Sequence, residues 1–466
     1  MKPLAPFVVT LALAISAVAQ DYRTAVVYNE TNLRPGGSLL NNSGQVVGTK
    51  SYPDGSHPFF WSKPTKLVDV GILGGIYNYG DGINDAGQVI ADMDLPDQIS
   101  HHAFFWGQST GLQDVGTFGG TQSYPSGFNS SGQVVGWANL SGDLTGRAFL
   151  WTQLGGLQDI GAGDNSTAIA INASGQVLGA SLDSQKNYFA FLWSQSSGLQ
   201  LFQVPGATNT YLAGLSDSGQ VVGNIYSSQC PLTEEGGCAF VWTPGTGFQY
   251  PMLNGAPIHA ISENALGAIV GIAGSDPNTG HAVLWTPNGG AHDLGVLPGK
   301  SFSYPYALNN KGEVLGISCV NFTTCKSFVW RPGQGMRAIP HTNQFKIFTQ
   351  INDAGQIVGI VNYNQTVLLS PWVHVKLASS QNPSKLGQSV TFTAAASSVE
   401  GVPKDGELVT FKVGNRVLGS VPLVAGVATF TASSFAVGTH AVTATYAGDV
   451  NYDAQKSGAL QQVVTP

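Results

Sequence analysis

Most of the chain repeats one pattern of apolar and polar positions. Its clearest copy, Ser123 to Gly161, runs SYPSGFN, SGQVVGWANL, RAFLW and GLQDIG. The glycine that opens the GQVVG-like run stands at Gly44, Gly87, Gly132, Gly175, Gly219, Gly267, Gly312 and Gly355, at intervals of 43 to 48 residues. A tryptophan closes the HAFLW-like run at Trp61, Trp106, Trp151, Trp193, Trp242, Trp285 and Trp330, with Trp372 taken as a degenerate eighth copy. Only Trp137 then falls outside the register. A period in the forties with about four short strand signals per unit predicts the blades of a β-propeller.

Each strand in the unit has its own reason. The first (Tyr79 to Asn84, Tyr124 to Asn129) ends in Asn-x-x-Gly, where Asn folds back on its backbone and Gly accepts positive φ, so a tight turn follows. In the third strand Phe104 and Trp106 share one face while Ala103 and Phe105 share the other, the pattern of a strand covered on both sides. The fourth strand ends near Asp69, Asp114, Asp159 or Asp293 in an Asp-x-Gly turn. Five residues before the marker glycine stand Gly82, Gly127, Ala170, Gly214 and Ala307, small side chains suited to a strand beside a crowded central axis. Leu39 and Gln350 break that rule, and the sixth unit (Ile261 to Gly271) reads as having a longer turn that does not align.

The segment Tyr22 to Tyr28 sits where a fourth strand belongs, and the last unit lacks one. An N-terminal strand completing the last blade would remove both sheet edges. The expected fold is therefore all-β: a propeller with eight blades favoured, followed by a sandwich. A seven-bladed ring with one degenerate unit and an open β-solenoid are the alternatives. Beyond residue 375 the period stops. Alternating runs such as Ser389 to Thr393, Leu408 to Lys412, Val427 to Thr431 and His440 to Tyr446 predict a small antiparallel sandwich with a core of Val, Phe and Tyr. The expected division is 1–19 signal peptide, 20–375 propeller and 376–466 sandwich.

Composition narrows the setting. Residues 1–19 carry one lysine, an apolar run from Phe7 through Val18 and a small-x-small site at Ala17 to Ala19, the layout of a secretory signal rather than a spanning helix. No other segment is apolar enough to span, so the chain beyond its leader is expected to be secreted, extracellular or at the cell surface. Charged residues make up 10% of the chain, against about 25% in ordinary domains. The 20 basic and 27 acidic residues give a net charge of −7 with no basic run, which argues against nucleic acid or an anionic membrane as partner. Cys230 and Cys238 flank the second-to-third-strand loop of the fifth unit, and Cys319 and Cys325 flank that of the seventh. Paired cysteines at equivalent hairpins in such a chain read as two local disulfides. No cofactor is implied, and no metal, because the cysteine spacing is unlike a zinc ribbon.

Two resemblances add to this. The pattern IN-x-x-GQVVG … HAFLW … DLG-x-LGG, carried by Ile83-Asn84, Gly132 to Gly136, His57-Pro58-Phe59, His102-Ala103-Phe104, His281-Ala282-Val283 and Asp114 to Gly120, resembles the HAF-family extracellular repeats of bacteria over about residues 30 to 372. That resemblance implies a secreted bacterial protein and brings no activity with it. Leu408 to Lys412, Leu418-Gly419, Gly426 to Phe430, Gly438 to His440 and Ala444 to Tyr452 resemble bacterial Ig-like domains of the group 3 type, which implies spacing, adhesion or surface display.

Chemistry is sparse. The sequence has no nucleophile elbow, phosphate loop, HExxH or calcium-loop pattern. The repeated fourth-strand Asp is expected to cap a turn, and His57, His102 and His281, replaced elsewhere by Arg147, Phe189, Cys238 and Lys326, are expected to be structural. The sharper candidates are Tyr79, Tyr124, Tyr211 and Tyr304, eight residues before their marker glycines. That register opens the innermost strand near one mouth of the channel, on the side of the disulfide loops. These rings either present flat amphipathic surfaces to a glycan or peptide or pack between blades. The expected function is non-catalytic extracellular binding, adhesion or envelope structure, with a glycan or protein as partner. The alternative is a carbohydrate-active hydrolase or lyase with convergent carboxylates in the channel.

Overall fold

A computed structural model describes residues 22–29, 31–32, 39–183, 185, 187–227, 230, 237–273, 280–321, 323–339, 346–361, 365–449 and 451–466. The expected leader, 1–19, lies outside them. All regular elements among the described residues are strands. Unit two shows the common plan: Asn78–Ile83, Val89–Asp94, His101–Gly107 and Gly111–Asp114 pair antiparallel in chain order. Among the described residues eight such units follow one another, the sixth with an extra edge strand at Met252–Leu253, and two of them joined by a single parallel pairing at Gln122 and His101. In the last unit Lys346–Ile351, Ile357–Val361 and Gln365–Pro371 are completed by Tyr22–Asn29, which pairs from Tyr22 opposite Pro371 to Asn29 opposite Gln365. The fold is a β-propeller followed by a sandwich.

Burial explains the apolar patterning. Ala103, Phe104 and Phe105 are at most 1% exposed because each third strand is covered by neighbouring units on both faces. Phe60 meets Trp106 at 5.5 Å and Phe105 meets Trp151 at 5.1 Å, so the tryptophan of one unit packs on the phenylalanine of the one before. In seven inner strands the register slips by one residue directly before the small-residue position, as between Gly80 and Gly82 or Pro125 and Gly127. Such a bulge bends the strand and re-aims the extra side chain. A Cβ on Gly82 would stand 3.1 Å from Phe128 of the next unit, which is the crowding the small residues relieve.

The turn asparagines tie the units together. Asn84 Oδ1 accepts from the backbone N–H of Ala86 and Gln88, while its Nδ2 donates to the carbonyl of Asn129 in the next unit at 2.8 Å. Asn41, Asn129, Asn172, Asn264 and Asn309 repeat this donation to the following unit. Asn352 returns it to the carbonyl of Asn41 at 2.8 Å, so the girdle closes on itself. Ser216 has no amide to give, and there Gln220 Nε2 reaches the Gly267 carbonyl instead. Asn84→Ala should leave the backbone N–H groups of Ala86 and Gln88 without their acceptor, while the Asn129 carbonyl keeps the Gly132 N–H, and should cost about 1–3 kcal/mol. Urea unfolding would check it; a loss below about 0.5 kcal/mol would mean water replaces the bond.

The exceptions noted in the sequence have specific outcomes. Gln350 Oε1 accepts from the backbone N–H groups of Leu39 and Leu40 at 2.7 and 3.0 Å, so both breaks in the small-residue rule lie at the seam between the last unit and the first. The sixth unit does align: Gly267 N–H donates to Asn264 and Asn264 N–H to Ala268, as in the other turns, and the turn is no longer than theirs. Trp372 is not the eighth marker. Ile357 pairs with Leu369 where Val46 pairs with Trp61, so Leu369 holds the tryptophan position and Trp372 lies beyond it, 5.6 Å beneath the Arg23 guanidinium.

The C-terminal sandwich begins at His374–Ser379, two residues ahead of the expected division. That strand pairs with Val390–Ser397, which pairs with Val427–Ala432. The facing sheet holds Leu408–Val413, Arg416–Pro422, Gly438–Tyr446 and Leu460–Thr465. Phe392, Phe411 and Tyr446 are fully buried between the sheets. The sandwich meets the ring through its Ser398–Gly401 turn. Glu400 accepts from Arg331 Nε at 3.0 Å, and Arg331 also bonds Glu313 and the Tyr22 hydroxyl. Asp453 pairs with Lys63 and, at 3.3 Å, with Arg23.

Candidate functional site

Strand direction sorts the molecule into two faces. One carries the asparagine turns and the docked sandwich. The other carries the starts of the inner strands, the unit-to-unit connections and the second-to-third-strand loops. Both disulfides lie at this second, loop face: Cys230 bonds Cys238, and Cys319 bonds Cys325 directly across its hairpin.

The four candidate tyrosines stand at the loop-face end of their strands, opposite Asp92, Trp137, Asn224 and Ile317. Their settings differ. Tyr211 is 52% exposed, edge-on to Tyr226, and its hydroxyl accepts from Asn209. Tyr304 is half-buried beside Tyr306, and Tyr79 is half-buried. Tyr124 is packed, its ring stacked 4.8 Å from His101 and 5.2 Å from Trp137. His101 Nδ1 lies 2.8 Å from Asp94, with Asp92 on its other nitrogen. Burial pulls the His101 pKa down, but the bonds and charges of the two aspartates outweigh it and hold the imidazolium above its ordinary value. Sequence reasoning passed over this cluster, although Trp137 was visible as the tryptophan off the repeat.

The repeated histidines and aspartates do not converge. His102 Nδ1 lies 2.9 Å from Asp114, His57 from Asp69 at 2.9 Å and His281 from Asp293 at 3.0 Å, each pair within one unit. Arg147 takes the histidine's place with Asp159 at 2.7 Å. Each aspartate also accepts from the glycine N–H two residues on, which is the turn-capping role expected of it.

A cavity of about 840 Å³ opens in the channel at the asparagine face and touches none of the four tyrosines. Its wall is set by the residue before each turn asparagine. Seven are apolar (Leu40, Ile83, Phe128, Ile171, Leu215, Leu308, Ile351) and the eighth is Glu263. The Glu263 carboxyl stands over Gly214, where an added Cβ would meet it. Burial pushes its pKa up to about 7, opposed only by its own backbone N–H. Asp81 projects from the bulge of unit two, four units away around the ring. A longer turn in the sixth unit, as the sequence suggests, would take Glu263 out of this register; the unit aligns, and Glu263 falls in it. The signal was present, since every other residue at that place is apolar. Among the described residues no group of three or more His, Cys, Asp or Glu is arranged to hold a metal ion, and no helix is long and apolar enough to cross a membrane.

Residues 377–465 match the family model of the bacterial Ig-like domain (group 3). The Ig-like domain and the two disulfides fit an extracellular protein. No curated protein matches the chain. Among solved structures, the chain resembles Porphyromonas gingivalis dipeptidyl peptidase 4 (8% identity, TM-score 0.45, covering 80% of this chain and 65% of that one). It also resembles a post-proline cleaving enzyme from Rickettsia typhi (11%, 0.43, 85% and 64%) and TolB from Acinetobacter baumannii (10%, 0.35, 75% and 96%). The chain spans less than two thirds of the length of the two peptidases, and nothing about their activity passes to it.

Proposed function

We propose that this is a secreted, non-catalytic binding or adhesion protein built on HAF-type repeats, which takes up a glycan or peptide at its loop face. The observation that supports this most is how the Ig-like domain is held. Arg331 and Glu400, 5% and 1% exposed, fix it to the asparagine face, so the face with Tyr211, Tyr304 and both disulfide hairpins is directed away from it. Disulfides limit the freedom of loops that would otherwise lose entropy on binding. The test is a glycan and polysaccharide array with the purified chain beside Tyr211→Ala and Tyr304→Ala; Tyr124 is left intact because its stack is packing. A loss of about ten-fold or more in either variant is the expected result. Full binding by the double variant would discard the tyrosines, and no binding by the parent chain would discard glycans.

One observation favours the second reading, a hydrolase or lyase acting in the channel. Glu263 is a carboxyl tuned near neutrality inside a cavity that also holds Asp81, and such a group suits general acid work. Release of reducing ends from a polysaccharide panel, abolished in Glu263→Gln, would establish it.

A further inference from the structure

The channel mouth is distinct in charge. Among the described residues five carboxyl groups line it (Asp81, Asp85, Asp217, Glu263 and Asp353) and no lysine, arginine or histidine does. Three of these have a structural duty at the rim, accepting from the backbone N–H groups of Asn42, Ala173 and Asn310. Glu263 has none. It occupies a place that seven other units fill with an aliphatic or aromatic side chain, and a carboxyl half-buried among them with only its own backbone N–H against it is held there at a cost. Departures from a repeat that lower stability are expected where they serve a ligand.

We infer that the channel mouth binds a small organic ammonium ion, an amine on an apolar stem, with Glu263 as its counter-charge. The five acidic groups within low-dielectric walls concentrate cations at the mouth. The ring of Leu, Ile and Phe around Glu263 then removes the stem from water. A bare divalent cation fits less well, because that ring offers no oxygen ligands beside the one carboxyl. Since burial holds Glu263 near 7, an arriving ammonium must displace its proton in acid, and affinity should fall as pH drops through that value. Asp81, Asp85, Asp217 and Asp353 are the other titratable groups facing the mouth.

The test is calorimetric titration of the full chain with hexylammonium, with hexanol and hexanoate as controls of equal stem length. Saturable binding of hexylammonium is expected, about ten-fold or more tighter than hexanol, and weakening about ten-fold between pH 8 and pH 5.5. Glu263→Leu restores the apolar ring and should melt no lower than the parent, yet lose that binding about ten-fold or more. Glu263→Gln, which keeps the shape and removes the charge, should lose it likewise, and Leu154→Ser, on an exposed turn, should not. Equal binding of hexanol, undiminished affinity in the folded Glu263 variants, or no saturable binding at millimolar hexylammonium overturns the inference.

Discussion

Arg331→Ala is expected to cost about 3–5 kcal/mol and to free the Ig-like domain from the ring. The residue after the marker tryptophan is Ser, Gly or Thr in the six preceding units and Arg only in the seventh. The same unit carries Glu313 where six others carry Gln (the sixth has Ala268). In most units that Gln side chain lies over the next unit's marker glycine, as Gln45 does over Gly87; over Gly355 the Ig-like domain's Glu400 stands instead. Two carboxylates therefore share one buried guanidinium. Burial, then the charge of Glu313, pushes Glu400 up to about 7 even against the pull of Arg331. Without Arg331 both acids lose their buried partner, and only Lys311, 3.8 Å away and half-exposed, remains near Glu400. The folded state then holds protons that the unfolded chain gives up, so the loss should be greatest above about pH 7 and shrink toward pH 5. Glu400→Gln offers the amide the other units use and should cost less than about 1 kcal/mol. Urea unfolding and small-angle scattering would check both. An unchanged scattering profile in Arg331→Ala would show that apolar contacts alone hold the domain.

A chain beginning at residue 30 should lose the cooperative unfolding of the ring. Residues Tyr22–Asn29 supply the fourth strand of the last unit and bury Tyr22 and Val27, each 6% exposed. Those two side chains account for roughly 3–6 kcal/mol of burial, and their removal leaves Gln365–Pro371 as an open edge ready to pair with other chains. Tyr22 also bonds Arg331, so the truncation weakens the junction as well, and its effect combined with Arg331→Ala should be less than additive. Hydrogen exchange across unit eight and size-exclusion chromatography give the readout. A monomeric truncated chain with protected amides in Ile357–Val361 would mean that the asparagine girdle closes the ring unaided.

The architecture was legible because it repeats. Eight marker glycines, all with positive φ, fixed the turns, and strand termini followed from Asn-x-x-Gly without reference to distant contacts. Disulfide pairing was legible for the same reason, since equivalent hairpins brought each pair together. What the repeat concealed were its exceptions. Gln350, Glu263 and Arg331 each depart from the consensus of their register, and each meets a partner from another unit or domain: Leu39 and Leu40, Gly214, and Glu400; Trp137 stacks on Tyr124 of its own unit, which in turn stacks on His101 of the unit before. A one-dimensional pattern shows that a position departs from its register, and only the closed ring shows what the departure faces. Trp372 erred in the opposite direction, a residue of the right type three places past the position it was assigned.

The path of the chain out of the ring also decides how the protein bears force. Only two residues separate Pro371 from the first strand of the Ig-like domain at His374, so tension applied to the C-terminal end and past the Arg331 clasp pulls along Gln365–Pro371. That strand is gripped on one side by Ile357–Val361 and on the other by Tyr22–Asn29, both antiparallel to the pull. Ladder bonds lie across such a load and must give way together rather than one after another, so the seam where the ring closes is loaded in shear, its strong direction.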